Sequence, residues 1–160
     1  DNKMIRLAPK ELVEDIQRLQ NSREGVKADN APFLLIGRRH VRSNNSWMHN
    51  SLRLVKGKSR HQLMLNTQDA ATLGVANNDL VEVVSRVGSV KVGVDVTDNI
   101  MQGVVSLPHG WGHHRKGVKL AIAQEHAGVS ANDLTDELFL DQLSGNAALS
   151  GVPVEVKPCK

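Results

Sequence analysis

Cationic and amide side chains are concentrated directly after a short apolar segment of the sequence. The apolar segment runs from Phe33 to Gly37 and so ends in a glycine. The candidate ligand-binding residues are this glycine and seven polar residues after it: Gly37, Arg38, Arg39, Arg42, Ser43, Asn44, Asn45 and Ser46. A guanidinium group binds phosphate through a bidentate fork, and an amide side chain offers both a donor and an acceptor. Gly37 lets the main chain approach a ligand closely. The pattern predicts a site for a phosphate-bearing, hydrogen-bonding ligand, and the alternative is an arginine-rich loop that only faces water.

Two further polar segments carry groups that could contact the same ligand. Pro108 to His114 reads PHGWGHH and contributes His109, Gly110, Trp111, Gly112 and His113. Its glycines expose backbone amides, its indole offers a flat wall or an anchor, and an imidazole can donate to a ligand. A metal site is the alternative for these histidines, but no Asp, Glu or Cys lies nearby in the sequence to complete one, so we predict none. The third segment contributes Asn132 and Thr135, which alone would be ordinary turn residues.

Short strands are predicted to position these loops. Val90, Val92, Val94 and Val96 alternate with other residues, which is typical of a strand with one buried face. The other predicted strands are Phe33–Gly37, His61–Leu65, Leu80–Ser85, Val104–Leu107 and Val152–Val156. Short strands at this density, joined by short turns, indicate a mainly β fold: a closed or nearly closed barrel with a few short peripheral helices.

The N-terminal part predicts a helix outside the barrel. It starts at Pro9, which suits a first helical turn, and ends near Gln20. Its apolar stripe consists of Leu12, Val13, Ile16 and Leu19. We expect this stripe to pack on the body as an outer arm. Residues 21–32 then form a polar linker, so we divide the chain into a helix and linker (1–32) and a barrel domain (33–160).

One short helix between the strands has clear boundary signals. Asn66 or Thr67 is expected to cap a helical turn over residues 68–73, and Gly74 is expected to stop it.

Three other segments have weaker patterns. Residues 51–57 are expected to be half-buried and extended, and residues 119–127 to form a short helix or a strand. Asp133 or Thr135 is expected to cap the apolar stretch over residues 138–143.

Composition argues against several classes of function. The 160 residues suffice for one domain with its own core. A net charge of +3, with two Phe, two Trp and no Tyr, argues against nucleic acid as a partner. No apolar run has the length of a membrane span and no signal peptide is visible, so we expect no membrane contact and a cytoplasmic location. The single cysteine, Cys159, excludes an internal disulfide or a cysteine-ligated cluster.

Three stretches together resemble one protein family. They read LLIGRRHVRSNNSWMHN, DAATLGVANNDLVEVVSRVGSVKVGVDVTDNIMQGVVSLPHGWGHH and GVSANDLTDELFLDQLSGNAALSGVPVEV. They are similar to the C-terminal molybdopterin-dinucleotide-binding domain of molybdenum or tungsten oxidoreductases of the dimethyl sulfoxide reductase and formate dehydrogenase type. The resemblance covers about residues 33–156, and it implies a double-psi β-barrel.

The resemblance also implies a cofactor and partners. The domain would close over bis(molybdopterin guanine dinucleotide), held jointly with the remaining domains of a formate dehydrogenase-like enzyme. The loop from Gly37 to Ser46 would hold the nucleotide and pyrophosphate, and the segments Pro108–His113 and Asn132–Thr135 would bond the pterin. The metal ligand would come from earlier domains, so the isolated chain is expected to be non-catalytic. The alternative is a free-standing barrel that binds a small ligand or a partner and has no redox function.

Overall fold

The computed structural model describes residues 4–25 and 33–159 of the chain, and the side chains of residues 22–25 are outside this description. Within these residues the strands are β1 (Phe33–Arg38), β2 (Leu63–Leu65), β3 (Leu80–Val84), β4 (Ser89–Val96), β5 (Val104–Pro108) and β6 (Val152–Pro158). The helices are α1 (Lys10–Gly25), α2 (Leu52–Val55), α3 (Thr67–Leu73) and α4 (Ala121–Glu125), with a 3-10 turn at Ala131–Asp133.

The strands form a closed barrel in the order β1-β5-β2-β4-β3-β6. Two neighbouring pairs, β1 with β5 and β2 with β4, are parallel, and the other pairs are antiparallel. The predicted mainly β fold, a closed barrel of the double-psi type with a few short helices, is confirmed. In the β1–β5 pair Gly37 lies beside Leu107 and Arg38 beside Pro108. Because these strands run in parallel, the loops that follow them leave the barrel at the same end.

The core is built from side chains that alternate along the strands. Val90, Val92 and Val94 are buried as predicted, and burial of each contributes about 1.5 to 3 kcal/mol. Val96, the last residue of β4, is half-buried and packs against the edge of the core. Leu63 and Leu65 of β2 are fully enclosed by the same cluster.

Helix α3 follows the boundary signals in the sequence. The Asn66 side chain accepts a hydrogen bond from the Gln68 N–H at 2.9 Å, which makes Asn66 the N-cap. Gly74 ends the helix with a φ of 68°, a left-handed conformation that glycine adopts without a Cβ clash. Residues 119–127, for which the sequence allowed a helix or a strand, contain helix α4.

Two predictions about short segments are wrong. Residues 51–57 are not extended but contain α2, whose single turn directs Val55 into the interior. The stretch 138–143 is not a capped helix, because Leu140 instead forms an isolated β-bridge with Ala147. Neither predicted cap is available to it, since Thr135 donates to the Asn132 carbonyl at 3.1 Å and Asp133 pairs with Arg115.

Helix α1 is longer than predicted and its apolar stripe is about half exposed. It continues beyond Gln20 to Gly25, so the first residues of the predicted linker are helical, and residues 26–32 lie outside the described part of the chain. Each of the four apolar side chains of the stripe remains about half exposed, so the stripe is not part of the core. Among the described residues, no helix combines the length and the hydropathy needed to cross a membrane.

Candidate functional site

The three predicted polar segments converge on one cleft at the end of the barrel. The cleft has a volume of about 350 Å³. Its lining residues are Gly37, Arg39, His109, Gly110, Ala131, Asn132, Thr135, Leu149 and Ser150. Parallel pairing of β1 with β5 brings together the first loop (residues 39–51, after β1) and the second loop (residues 109–114, after β5). The 3-10 turn at Ala131–Asp133 carries the third group.

Alternation along β1 separates two of the predicted arginines. Gly37 and Arg39 line the cleft, whereas Arg38 lies between them and points away from it. The Arg38 guanidinium donates to the main-chain carbonyls of Ser106 at 3.1 Å and Gln62 at 2.9 Å. Burial lowers the pKa of Arg38, and the nearby Asp95 carboxylate opposes that effect. Arg38 therefore ties β1 to its neighbouring segments within the barrel wall.

Asn45 organises the polar groups at the mouth of the cleft. Its side-chain oxygen accepts hydrogen bonds from Arg39 and from His109 Nε2, the latter at 2.9 Å. Since Nε2 donates in this arrangement, Nδ1 of His109 is the acceptor atom, and it lies beside Gly37. Partial burial and the Arg39 charge lower the pKa of His109, so its ring is neutral near pH 7.

The glycines of the second loop allow it to pack closely against neighbouring segments of the chain. Gly110 has a φ of +88°, and a Cβ added there would lie 2.4 Å from the Asn45 carbonyl oxygen. Gly112 has a φ of +107°, and its Cβ would lie 2.9 Å from Ser130 Cβ. The Gly112 amide donates to the Ala127 carbonyl at 2.8 Å, so it is used inside the protein. Of the two glycines, Gly110 is the one that lines the cleft.

Trp111 and His113 face away from the cleft. The Trp111 ring stacks on His49 with a centroid distance of 3.9 Å, and His113 Nε2 lies 2.7 Å from His49 Nδ1. His49 is only 1% exposed, and burial, assisted by His113 and His61, lowers its pKa to about 4. The Gly110 main chain partly opposes that shift, although no hydrogen bond of good geometry forms at His49 Nε2.

The remaining predicted residues of the first loop lie outside the cleft lining. Ser43 is buried, and Arg42, Asn44 and Ser46 occupy the turns that follow β1. Asn44 and Asn45 both have positive φ, 41° and 61°, which Asn tolerates better than other residues with a Cβ.

Sequence reasoning missed four residues of this region: Ala131, Leu149 and Ser150 of the cleft lining, and the buried His49. Leu149 and Ser150 line the cleft because β6 pairs antiparallel with β1, which brings the residues before β6 next to Gly37. The Ser150 hydroxyl accepts from the Gly37 N–H at 3.4 Å. His49 belongs to the polar segment after the first strand, but nothing in its spacing indicated a buried contact with Trp111. The predicted closing strand was the one signal that could have found Ser150.

The fold and the cleft define a class of protein. A closed barrel that gathers three separate polar loops around one concave surface is a ligand-binding barrel domain. The sequence matches the family described as Molydopterin dinucleotide binding domain over residues 33–153. The chain belongs to this family, and its ligand is the molybdopterin dinucleotide cofactor.

The relatives that this chain matches are much longer than the chain itself. A tetrathionate reductase chain of Salmonella typhimurium is 27% identical over 66% of this chain, which corresponds to 12% of that protein. Trimethylamine-N-oxide reductase of Pasteurella multocida is 33% identical over 59% of this chain and again 12% of that protein. The chain thus spans about one-eighth of the curated relatives it matches. Acetylene hydratase from Pelobacter acetylenicus has a similar fold, with a TM-score of 0.68, 18% identity, and coverage of 91% of this chain and 20% of that one.

The comparisons confirm the resemblance and the cofactor-binding role. The predicted molybdopterin-dinucleotide-binding domain of an oxidoreductase is the family that matches, and relatives at 27% and 33% identity are reductases by name. The narrower formate dehydrogenase-like character is not confirmed and stays a prediction.

Proposed function

We propose that the cleft beside Gly37 receives the pterin of molybdopterin guanine dinucleotide, and that the chain closes over the bis-cofactor as one domain of a larger molybdenum reductase. The observation that carries this proposal is the convergence of three separated polar segments on one cleft of about 350 Å³. That volume lies within the range of small-molecule pockets, roughly 300 to 1,000 Å³. When bound, the cofactor supplies the metal and the redox chemistry.

The groups in the cleft fit the edge of a pterin. A pterin edge presents ring nitrogens, an amino group and a carbonyl oxygen in one plane, so its receptor needs donors and acceptors side by side. Asn132 offers both on one amide, and His109 Nδ1 offers an acceptor. The Ser150 hydroxyl adds a group that can do either. Gly37 has no side chain between these groups and a ligand: a Cβ there would meet only His109 Nδ1 and Leu149 O, each at 3.9 Å.

Arginines next to the cleft suit the phosphates of the dinucleotide. We expect at least one of Arg38, Arg39 and Arg42 to contact phosphate or guanine, with about 1.5 to 3 kcal/mol for a charge-assisted bond. Arg39 is favoured because it lines the cleft, whereas both terminal nitrogens of Arg38 already donate to carbonyls.

Exposed apolar side chains in the first loop and at the cleft suit contact with the remaining domains of the parent enzyme. Val41 and Trp47 of the first loop are 97% and 81% exposed, and Leu149 at the cleft is 60% exposed. Large apolar side chains grouped around a ligand site are typical of a surface that a partner covers. The relatives supply such a partner in their own chains, since this chain corresponds to about one-eighth of their length.

The proposal is tested by Asn132→Ala in the parent enzyme. The Asn132 side chain is exposed on the 3-10 turn, so its loss should leave the fold intact while molybdenum and pterin content fall. Asn99→Ala is the matched control, because Asn99 is also an exposed asparagine but does not line the cleft. Cofactor content and thermal unfolding are measured for both variants. Equal and normal cofactor content in both would reject the cleft as the pterin site.

The same segments do not favour a metal site. Among the described residues, no group of three or more His, Cys, Asp or Glu side chains is arranged to hold a metal ion. His109 is bonded to Asn45, while His113 is bonded to His49 on the other side of the loop. We therefore expect zinc or nickel to leave the thermal unfolding temperature of the chain unchanged, because the histidines of the second loop do not converge.

A further inference from the structure

A buried aromatic contact joins the first loop to the second behind the cleft. His49 belongs to the turns after β1, and its ring stacks on Trp111 at a centroid distance of 3.9 Å and an interplanar angle of 30°. Its Nδ1 lies 2.7 Å from His113 Nε2, and the two rings meet edge to face. Both polar atoms left over, His49 Nε2 and Trp111 Nε1, are buried without a hydrogen-bond partner among the described residues.

Burying the unpaired nitrogens of His49 and Trp111 has a free-energy cost that other interactions must offset. A buried polar atom without a partner costs about 1 to 3 kcal/mol. The stack on Trp111 and the bond to His113 must offset that cost. Gly110 and Gly112 have positive φ on either side of Trp111, so the backbone alone leaves this loop several conformations. The stack on His49 and the tilted contact of Trp111 with His61, at 5.2 Å, select one of them.

The selected conformation is the one that forms the cleft. His109 and Gly110 precede Trp111 directly, and both line the cleft. The fit is tight, because Gly110 lies against the Asn45 main chain and His109 bonds the Asn45 side chain. A small rotation of the loop at Trp111 would break both contacts.

We propose that His49 is a positioning residue: its ring holds Trp111 and His113 so that His109 and Gly110 face the cofactor cleft. The inference rests on the proposed function of the cleft, to which it adds a residue that does not touch the ligand. The stack with Trp111 sets the loop position, and the bond to His113 fixes the ring of His49 in place.

The groups around His49 define how acid should act on this contact. His113 in the second loop and His61 before β2 face the His49 ring. Burial lowers the pKa of His61, and the positive charge of Arg38 adds to that effect. Burial and these neighbours lower the pKa of His49 to about 4. Protonation would place like charges together inside the contact, so the loop should be released as pH falls from about 6.5 towards about 4.

Fluorescence of Trp111 tests the contact without any cofactor. The sequence has two tryptophans, and Trp47→Phe removes the exposed one, leaving Trp111 as the single reporter. In this background His49→Ala should shift the emission to longer wavelength and increase quenching by acrylamide. His49→Phe keeps a ring under Trp111 and should restore both readings, whereas His49→Asn keeps only a polar group near the Nδ1 position and should not. His114→Ala is the control, because His114 is an exposed residue of the same loop.

A pH titration adds a reading that a merely structural role would not change. Protonated imidazole against an indole quenches its emission, so the Trp47→Phe chain should lose intensity as pH falls through about 4, where His49 becomes protonated in the folded chain. His49→Phe should reduce that loss, since one of the facing imidazoles is gone. Circular dichroism over the same range shows whether the chain stays folded.

Cofactor content of the parent enzyme links the contact to the cleft. His49→Ala should lower molybdenum and pterin content and His49→Phe should restore it. A folded His49→Ala chain with Trp111 protected as before, or with Trp111 exposed but cofactor retained, overturns the inference. If His49→Ala does not fold, equal behaviour of the Phe and Asn variants overturns it. Loss of cofactor in Asn132→Ala but not in His49→Ala overturns the role of His49 alone, whereas normal content in both overturns the proposed function as well.

Discussion

At the scale of single residues, two glycines with positive φ allow the cost of backbone strain to be measured separately from the cost of a steric clash. Gly110 and Gly117 have similar φ values, +88° and +95°, but only Gly110 has a neighbour where a Cβ would stand. We expect Gly117→Ala to cost about 1 kcal/mol from backbone strain alone. Gly110→Ala should cost more, because the new Cβ would overlap the Asn45 carbonyl and push the two loops apart. Urea unfolding of both variants measures the difference.

The same pair also tests the geometry of the cleft. Gly110→Ala should reduce cofactor content in the parent enzyme, whereas Gly117→Ala should not, since Gly117 has nothing within 4 Å of its Cβ position. Equal stability and equal cofactor content in the two variants would contradict the close approach of the loops.

Arg38 and Arg39 are adjacent in sequence and are expected to differ in function. Arg38→Ala should lower the free energy of unfolding by about 1 to 3 kcal/mol, because the Ser106 and Gln62 carbonyls lose a charged donor. Arg39→Ala should change stability little and reduce cofactor content instead, and lysine should replace it poorly because it lacks the planar fork. Unfolding by urea and molybdenum content are measured on both variants. Normal stability with reduced cofactor content in Arg38→Ala, together with reduced stability and normal cofactor content in Arg39→Ala, would contradict these two roles.

The sequence identified these arginines as candidates but did not show which of them is structural and which lies at the cleft. All three belong to one polar run, and the side of the chain on which each lies depends on how far β1 continues before the turns begin. The structure ends β1 at Arg38, which makes Gly37 and Arg39 neighbours on the cleft side. Asn45 was predicted as a ligand residue, and its bonds to Arg39 and His109 depend on a left-handed turn that no sequence pattern specifies.

At the scale of elements, α3 provides a test of capping. Asn66 caps the helix through its oxygen and donates through its nitrogen to the Ile100 carbonyl at 2.8 Å. Asn66→Ala removes both bonds and should cost about 1 to 2 kcal/mol. Asn66→Asp keeps the capping oxygen and loses the donor, so its stability should lie between that of the unchanged chain and that of Asn66→Ala. Thermal unfolding ranks the three proteins, and an Asp variant as unstable as the Ala variant would show that the Ile100 bond dominates.

The accuracy of the element predictions follows the strength of the local signal. The alternating valines of β4 and the cap and glycine of α3 are local patterns, and both predictions were confirmed. Residues 51–57 were predicted wrongly because the burial of Val55 depends on packing between distant segments. The stretch 138–143 is apolar without a regular period, and its bridge to Ala147 is a contact of the folded chain.

At the scale of the whole molecule, buried histidines should make the chain sensitive to mild acid. Burial, the largest cause for both residues, lowers the pKa of His49 and of His61 from 6.5 to about 4. The unfolded chain therefore takes up protons below about pH 6.5, while the folded chain resists them until about pH 4. The free energy of unfolding should be constant above about pH 6.5 and should fall as pH decreases from there towards about 4.

The Asp136 carboxylate should cause a second loss of stability at lower pH than the histidines do, so the two losses can be measured separately. The Arg86 guanidinium lowers the pKa of Asp136 from 3.8 to about 2, so the stability from this pair is present above about pH 3.8 and is lost on further acidification. Urea unfolding at several pH values between about 7.5 and about 2 should show both steps. Asp136→Asn should reduce the lower step and leave the upper one; part of the lower step remains, because the pKa values of Asp15, Glu137 and Asp141 are lowered as well. A free energy of unfolding that stays constant between about pH 6.5 and about 4 would show that His49 and His61 become protonated in the folded chain as readily as in the unfolded one, which their burial in the barrel argues against.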